Sequence, residues 1–114
     1  MKKIDYGVCS AVSDELKYLR EICDDLQTTT IKGVEYQLGT INGKSVAMVA
    51  TGIGTSCAAA VTTCLAKDFD IKGLFYIGTA GSLISDLKNG DVVIANSAFQ
   101  AHLSALIISN HTKM

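Results

Sequence analysis

The stretch Phe75-Tyr76-Ile77-Gly78-Thr79-Ala80-Gly81-Ser82 most limits what this chain can become. Its first half is apolar and favours a strand. Its second half is a run of small residues, Gly-Thr-Ala-Gly-Ser. A strand ending this way lets backbone N–H groups approach a ligand closely, because no Cβ intervenes. If another strand runs parallel to it, both C-terminal ends open on one edge of the sheet, the edge where α/β proteins bind ligands.

The segments before that loop supply such partners. Residues 4–11 read as a short buried strand, with Ile4, Tyr6, Val8 and Cys9 in it. Ser13 follows as an expected N-cap, and Asp14 and Glu15 sit in the first turn, where the helix dipole favours carboxylates. Leu16, Leu19, Ile22, Cys23 and Leu26 recur at helical spacing and predict a helix over residues 13–26. Residues 27–30 read as a polar linker. Two strands are predicted over 34–41 and 45–50, joined by Asn42-Gly43, a pair that tolerates the positive φ of a type I′ turn.

After Thr51-Gly52-Ile53-Gly54-Thr55 comes an alanine-rich helix over 56–67, whose small residues suit close packing on a sheet. A strand over 72–77 enters the opening loop. Beyond it the sequence predicts a short helical turn or loop over 83–87, a turn over 88–91, a strand over 92–95 and a helix over 97–108. The order strand, helix, hairpin, helix, strand, strand predicts an α/β fold: a mixed, partly parallel central sheet flanked by helices on both faces.

Composition narrows the partners. Ten Lys plus Arg against eleven Asp plus Glu leave no strongly basic surface, which argues against nucleic acid or an anionic membrane as the main partner. With 48% hydrophobic residues in 114, the chain can bury a core. The four cysteines, at 9, 23, 57 and 64, show no Cys-x-x-Cys spacing and read as buried small hydrophobes in a reducing compartment. No metal site is expected, and His102 and His111 read as isolated surface residues. Asp5 interrupts what would be a signal-peptide core, and the apolar region over 46–66 is too polar to span a bilayer. A cytoplasmic protein is expected.

Three constellations could carry chemistry. The turn Thr51-Gly52-Ile53-Gly54-Thr55-Ser56-Cys57 half-matches a dinucleotide fingerprint, with Cys57 where a third glycine belongs. It could bind a nucleotide cofactor, form a tight structural turn, or line a ligand. Asp14 reads as helix N-terminal charge. Glu15, if the first strand is parallel to the strand ending at Gly78, stands at the shared edge and could act as a general base towards water. The opening loop offers the hydroxyls of Thr79 and Ser82 and the bare backbone of Gly81.

Taken together these residues resemble the purine nucleoside phosphorylase and nucleosidase superfamily. Ser10-Ala11-Val12-Ser13-Asp14-Glu15-Leu16 is similar to its Gly-Ala-Met-x-x-Glu segment. Thr51-Gly52-Ile53-Gly54 is similar to its Ser/Thr-Gly-Ile-Gly turn. Gly78-Thr79-Ala80-Gly81, followed by Lys88-Asn89-Gly90-Asp91-Val92-Val93, is similar to its Gly-Ser/Thr-Ala-Gly segment and Lys-x-Gly-Asp-x-Val strand. The 5′-methylthioadenosine/S-adenosylhomocysteine nucleosidases are the branch it resembles most.

The resemblance implies hydrolysis of the N-glycosidic bond of a purine nucleoside, in a homo-oligomer that needs no cofactor. Glu15 would activate the water. Thr79, Ala80 and Gly81 would line the ribose and base, with Ala11, Val12 and Ile53 as apolar contacts. Phosphorylases of the superfamily place an arginine just before the Gly-Thr motif, where this chain has Phe75-Tyr76-Ile77; the sole arginine is Arg20. Water is thus favoured over phosphate, with purine or uridine phosphorylase as the alternative. Family members are longer, and their second half carries a Met-Glu pair for the ribose hydroxyls and an aspartate that protonates the purine. The resemblance therefore predicts a truncated version of the fold: residues 1–96 as its N-terminal half, 97–114 as a divergent tail, and feeble or no activity in this chain alone. A non-catalytic association module is the rival expectation.

Overall fold

The computed structural model describes residues 1–99 in two compact units, Met1–Ala80 and one that begins at Gly81. The first holds all the regular structure among the described residues. In chain order it runs β1 (Lys2–Ser10), a 3-10 turn (Ser13–Leu16), α1 (Lys17–Ile22), β2 (Asp24–Ile31), β3 (Val34–Ile41), β4 (Lys44–Ala50), α2 (Thr55–Asp68) and β5 (Phe69–Tyr76). The five strands form one sheet in the order β2-β3-β4-β1-β5. β2, β3 and β4 are an antiparallel meander, whereas β1 pairs in parallel with both β4 and β5. The mixed, partly parallel sheet expected from the sequence is therefore the observed one.

Helices cover both faces, and the pleat explains which residues meet them. Ala47 and Val49 of β4 and Cys9 of β1 lie in one core cluster with Leu65 of α2. Val46 and Met48, pointing the other way, join Val8 and Leu16 of the 3-10 turn. Gly7 is small for a packing reason: a Cβ there would lie 2.7 Å from Leu65 Cδ2. Tyr36, fully buried, stacks edge-on against Phe69 at 5.0 Å and donates its hydroxyl to Asp68 at 2.8 Å, fixing the end of α2 over the sheet.

The helix expected over residues 13–26 is shorter. Val12, not Ser13, stands at the N-cap, and the helix ends at Ile22, with Cys23 already extended at φ −85° and ψ 130°. The chain re-enters the sheet as β2 by passing over Gly39, where any Cβ would collide with Cys23 Sγ. Residues 27–30, expected as a linker, are part of this edge strand. β-branched Thr28, Thr29 and Thr30 suit a pleated surface, and each pairs across to β3. Lys32-Gly33 forms the turn between them with φ of 50° and 84°, closely matching Asn42-Gly43 at 50° and 76°. The two hairpins share one turn chemistry.

In the second unit, residues 81–99 contain turns but no helix or strand. Asp91 closes the turn at 88–91 by accepting the Lys88 N–H at 2.8 Å. The strand expected over 92–95 does not form: a strand exists through its ladder, and residues 81–99 supply no neighbouring strand. The helix expected over 97–108 lies mostly outside the described residues.

Candidate active site

The C-terminal ends of β1, β4 and β5 meet at one edge because β1 is parallel to both neighbours. The pairing continues past the strands. Thr51 N–H donates to Ser10 O at 2.7 Å, Gly52 N–H to Ala11 O at 2.9 Å, and Ile77 N–H to Cys9 O at 2.9 Å. The segments around Ala11, Gly52 and Gly78 are thereby laced side by side.

Glu15 closes this edge. The 3-10 turn carries it back over the end of β1, and buried Leu16 anchors the turn on the sheet. Its Oε2 accepts the Thr79 N–H at 2.9 Å and the Thr79 hydroxyl at 3.5 Å, while Oε1 accepts the Val12 N–H at 3.3 Å. The Thr79 amide does most to hold the carboxyl below the usual carboxylate range. Val12 and Ala11 amides add to it, and partial desolvation opposes them. Glu15 is therefore an ionised, half-buried acceptor at neutral pH, bridging the β1 turn and the β5 loop. Gly78 makes this approach possible, since a Cβ there would stand 2.8 Å from Oε2.

A second polar group sits beside it. Thr51, buried at the end of β4, lies 3.0 Å from the Tyr76 hydroxyl and within reach of the Ser10 and Gly52 carbonyls. Ser10, also buried, donates its hydroxyl to Val12 O at 2.7 Å.

Of the residues singled out from sequence, the fold brings together Ala11, Val12, Glu15 and Thr79. Ile53 projects from the Gly52–Gly54 turn, 80% exposed, between two glycines with φ of 91° and 102°. Ala80 is exposed at the end of the first unit, and Gly81 opens the second. Sequence reasoning missed the parts played by Ser10, Thr51, Gly78 and Tyr76. Each stood inside a quoted motif, but a contact between strand ends leaves no periodic trace. Cys57 was expected to be buried and is exposed, one turn into α2. Among the described residues no three His, Cys, Asp or Glu side chains converge, and no helix is long and apolar enough to cross a membrane.

Comparison with known proteins bears on the family and the fold. Residues 5–111 match the sequence profile of the phosphorylase superfamily. Among solved structures, the Streptococcus pneumoniae MTA/SAH nucleosidase in complex with 8-aminoadenine is 32% identical, with a TM-score of 0.72 over 77% of this chain and 39% of its own. The 5′-methylthioadenosine/S-adenosylhomocysteine nucleosidase of Colwellia psychrerythraea, in complex with adenine, is 30% identical with a TM-score of 0.72, covering 79% of this chain and 37% of that one. A futalosine hydrolase mutant of Helicobacter pylori is 25% identical with a TM-score of 0.65, covering 80% and 41%. This chain thus spans about two fifths of the length of the structures it matches. A profile match over most of its length, together with the fold it shares with these structures, makes the chain a member of the phosphorylase superfamily.

Proposed function

We propose that the chain forms part of a purine nucleosidase that hydrolyses the N-glycosidic bond of 5′-methylthioadenosine or S-adenosylhomocysteine. The observation that carries this reading is the Glu15 carboxylate, ionised and held by the Thr79 and Val12 amides at the edge shared by β1, β4 and β5. The neighbouring nucleosidases in complex with 8-aminoadenine and adenine support the purine.

Glu15 accepts a hydrogen bond from a water placed against C1′ of the ribose. As the C1′–N9 bond lengthens, its electron pair goes to the purine and positive charge develops on the sugar. The water oxygen then bonds to C1′ and its proton passes to Glu15. The low proton affinity of Glu15 makes this transfer late, after the water has been acidified by the cationic sugar, so the carboxylate acts as much by its charge as by its basicity. Thr79 and Ala80 would line the ribose and base, and Ala11, Val12 and Ile53 would supply apolar contacts. The purine needs a proton as it leaves. In the resemblance that group is an aspartate of the second half, so this chain alone should turn over slowly at best.

Adenine release from 5′-methylthioadenosine, measured with and without phosphate, tests the reading. The expected result is slow, phosphate-independent release that falls about 10²–10⁴-fold in Glu15→Gln. A requirement for phosphate would convert the reading to phosphorolysis, and failure of the nucleoside to bind at all would overturn it.

A second reading concerns partners. Leu74, Phe75 and Tyr76 of edge strand β5 are each about half exposed. A strand edge flanked by apolar side chains favours pairing, and the occupant we infer is a second copy of the chain. Light scattering on the purified protein tests it, with a dimer or larger species expected and a clean monomer overturning it.

A further inference from the structure

Asn-Gly occurs twice in the chain, at Asn42-Gly43 and Asn89-Gly90, and each pair forms an exposed turn. The pair carries a latent reaction. An asparagine side chain ends in an amide carbon, and the next backbone nitrogen can reach it to close a five-membered ring. Glycine favours the closure because it has no Cβ to crowd its nitrogen. The ring closes only when that nitrogen swings to the same side of the Cα–C bond as Cβ. Local structure therefore decides whether the reaction proceeds, and the two turns are held differently.

Asn42 is locked. It sits at φ 50°, in the left-handed region where ψ is about +30 to +60°. That conformation turns the Gly43 nitrogen away from Cβ. Ile41 and Lys44 pair directly across the turn, with Thr40 and Ser45 behind them, so releasing Asn42 means opening the end of the β3–β4 ladder. Asp5 holds that ladder further by accepting the Ser45 N–H at 2.9 Å. Asn89 has no such frame. Its turn is closed by the Asp91 N–H on Lys88 O at 3.0 Å and the Lys88 N–H on Asp91 Oδ2 at 2.8 Å. No helix or strand flanks it within residues 81–99, and Asn89 and Gly90 are both exposed. The Asn89 side chain and the Gly90 N–H have no hydrogen-bond partner among the described residues.

We propose that Asn89 is a site of spontaneous modification, converted to isoaspartate and aspartate, while the fold protects Asn42. The Gly90 nitrogen bonds to Cγ of Asn89, the Cγ–Nδ2 bond breaks, and ammonia departs with the proton that the Gly90 amide gives up. Water then opens the ring. Addition at Cγ breaks the new bond and leaves aspartate. Addition at the backbone carbonyl carbon of residue 89 breaks the other ring amide, and the chain then runs through Cγ as isoaspartate. Nothing is oxidised or reduced, and no reactant besides water enters. Isoaspartate lengthens the backbone by a methylene, which draws Lys88 O away from the Asp91 N–H and opens the turn. Either product adds a negative charge near Asp91. The carboxylate of isoaspartate on an exposed segment is the group that isoaspartyl carboxyl methyltransferases take as substrate, so that enzyme class is the partner this site fits.

Incubating the purified chain in H₂¹⁸O at mildly alkaline pH, then sequencing its peptides by mass spectrometry, reads both sites in one sample. Residue 89 is expected to gain a carboxyl bearing ¹⁸O, and an isoaspartyl methyltransferase with labelled S-adenosylmethionine should methylate the aged chain and not the fresh one. Asn42 should convert about tenfold or more slowly, a gap set by the local opening it requires. In urea the two rates should converge. Equal rates in the folded chain, or a gap that persists unchanged in urea, would overturn the proposal. Gly90→Ala supplies a second arm. A Cβ at φ 95° strains the turn and by itself loosens it, so slower conversion at residue 89 reports crowding of the attacking nitrogen. Slower conversion is the expected result, with Asn42 unaffected, and an unchanged or faster rate at residue 89 overturns the ring route. None of these outcomes depends on whether the chain binds a nucleoside.

Discussion

Glu15 and Gly78 lie so close that the site depends on a missing methyl group. Gly78→Ala would push its Cβ against Oε2 and break the bond from the Thr79 amide, the largest influence keeping the Glu15 carboxyl acidic. The expected outcome is a Glu15 pKa that moves up towards the ordinary carboxylate value, read by ¹³C NMR titration of the carboxyl, together with a loss of adenine release comparable to that of Glu15→Gln. The same depressed pKa sets a pH dependence of stability. Above the ordinary carboxylate range Glu15 is ionised both folded and unfolded, and its contribution is fully present. As pH falls below that range the unfolded chain takes up the proton first, so stability declines until the folded carboxyl also titrates. Asp5, lowered by the Ser45 amide and by Lys72 at 3.1 Å, contributes with the same sign. Denaturation midpoints measured across the acid range should therefore fall with pH, and less steeply in Glu15→Gln. At this scale Glu15 was legible because a carboxylate after a strand is a recognisable pattern. Gly78 was legible as a small residue but not as the one that touches Glu15, because that pairing is a fact of three dimensions.

The Ser13–Leu16 turn is the element on which the site depends most. It is a single 3-10 turn whose N-cap residue, Val12, offers no capping side chain, and Leu16, 2% exposed between Val8, Val46 and Met48, anchors it on the sheet. Leu16→Ala should cost about 2–5 kcal/mol by urea denaturation, and should loosen Glu15 as well, so that its carboxyl titrates nearer the ordinary value. The helical periodicity of Leu16, Leu19 and Cys23 was real: all three pack in one cluster. It overstated the helix because Leu26, the next residue in register, belongs to a strand and is 41% exposed. The threonine run and Lys32-Gly33 carried the missing signal for β2. Lysine is a poor advertisement for a positive φ, which is why the Asn42-Gly43 turn was readable and its twin was not.

For the whole molecule, the mixed sheet follows from an antiparallel meander of two hairpins joined through helical segments to the parallel strands β1 and β5, and all of that order but the first hairpin is visible in the sequence. Which strand would lie at the rim was not visible. β5 carries the organising loop yet occupies an edge of the sheet, beside central β1. If self-association runs through this rim, Phe75→Lys should shift the light-scattering mass towards monomer while leaving the circular dichroism spectrum unchanged, because an exposed charge on an edge strand opposes pairing. A dimer that survives the substitution would place the contact elsewhere.

The bond between Glu15 and Thr79 joins residues 64 positions apart. β1 gains its β5 partner across a similar separation, with Lys2 opposite Phe69 and Cys9 opposite Tyr76. A ribosome makes Glu15 long before it makes the amide that lowers its pKa. The meander of β2, β3 and β4, built from neighbours in sequence, can form first, while closing the long loop back onto β1 is slower. Until then Glu15 is an ordinary surface carboxylate. The nascent chain therefore carries the Glu15 carboxylate in an untuned form, and the appearance of its lowered pKa marks the moment β5 docks.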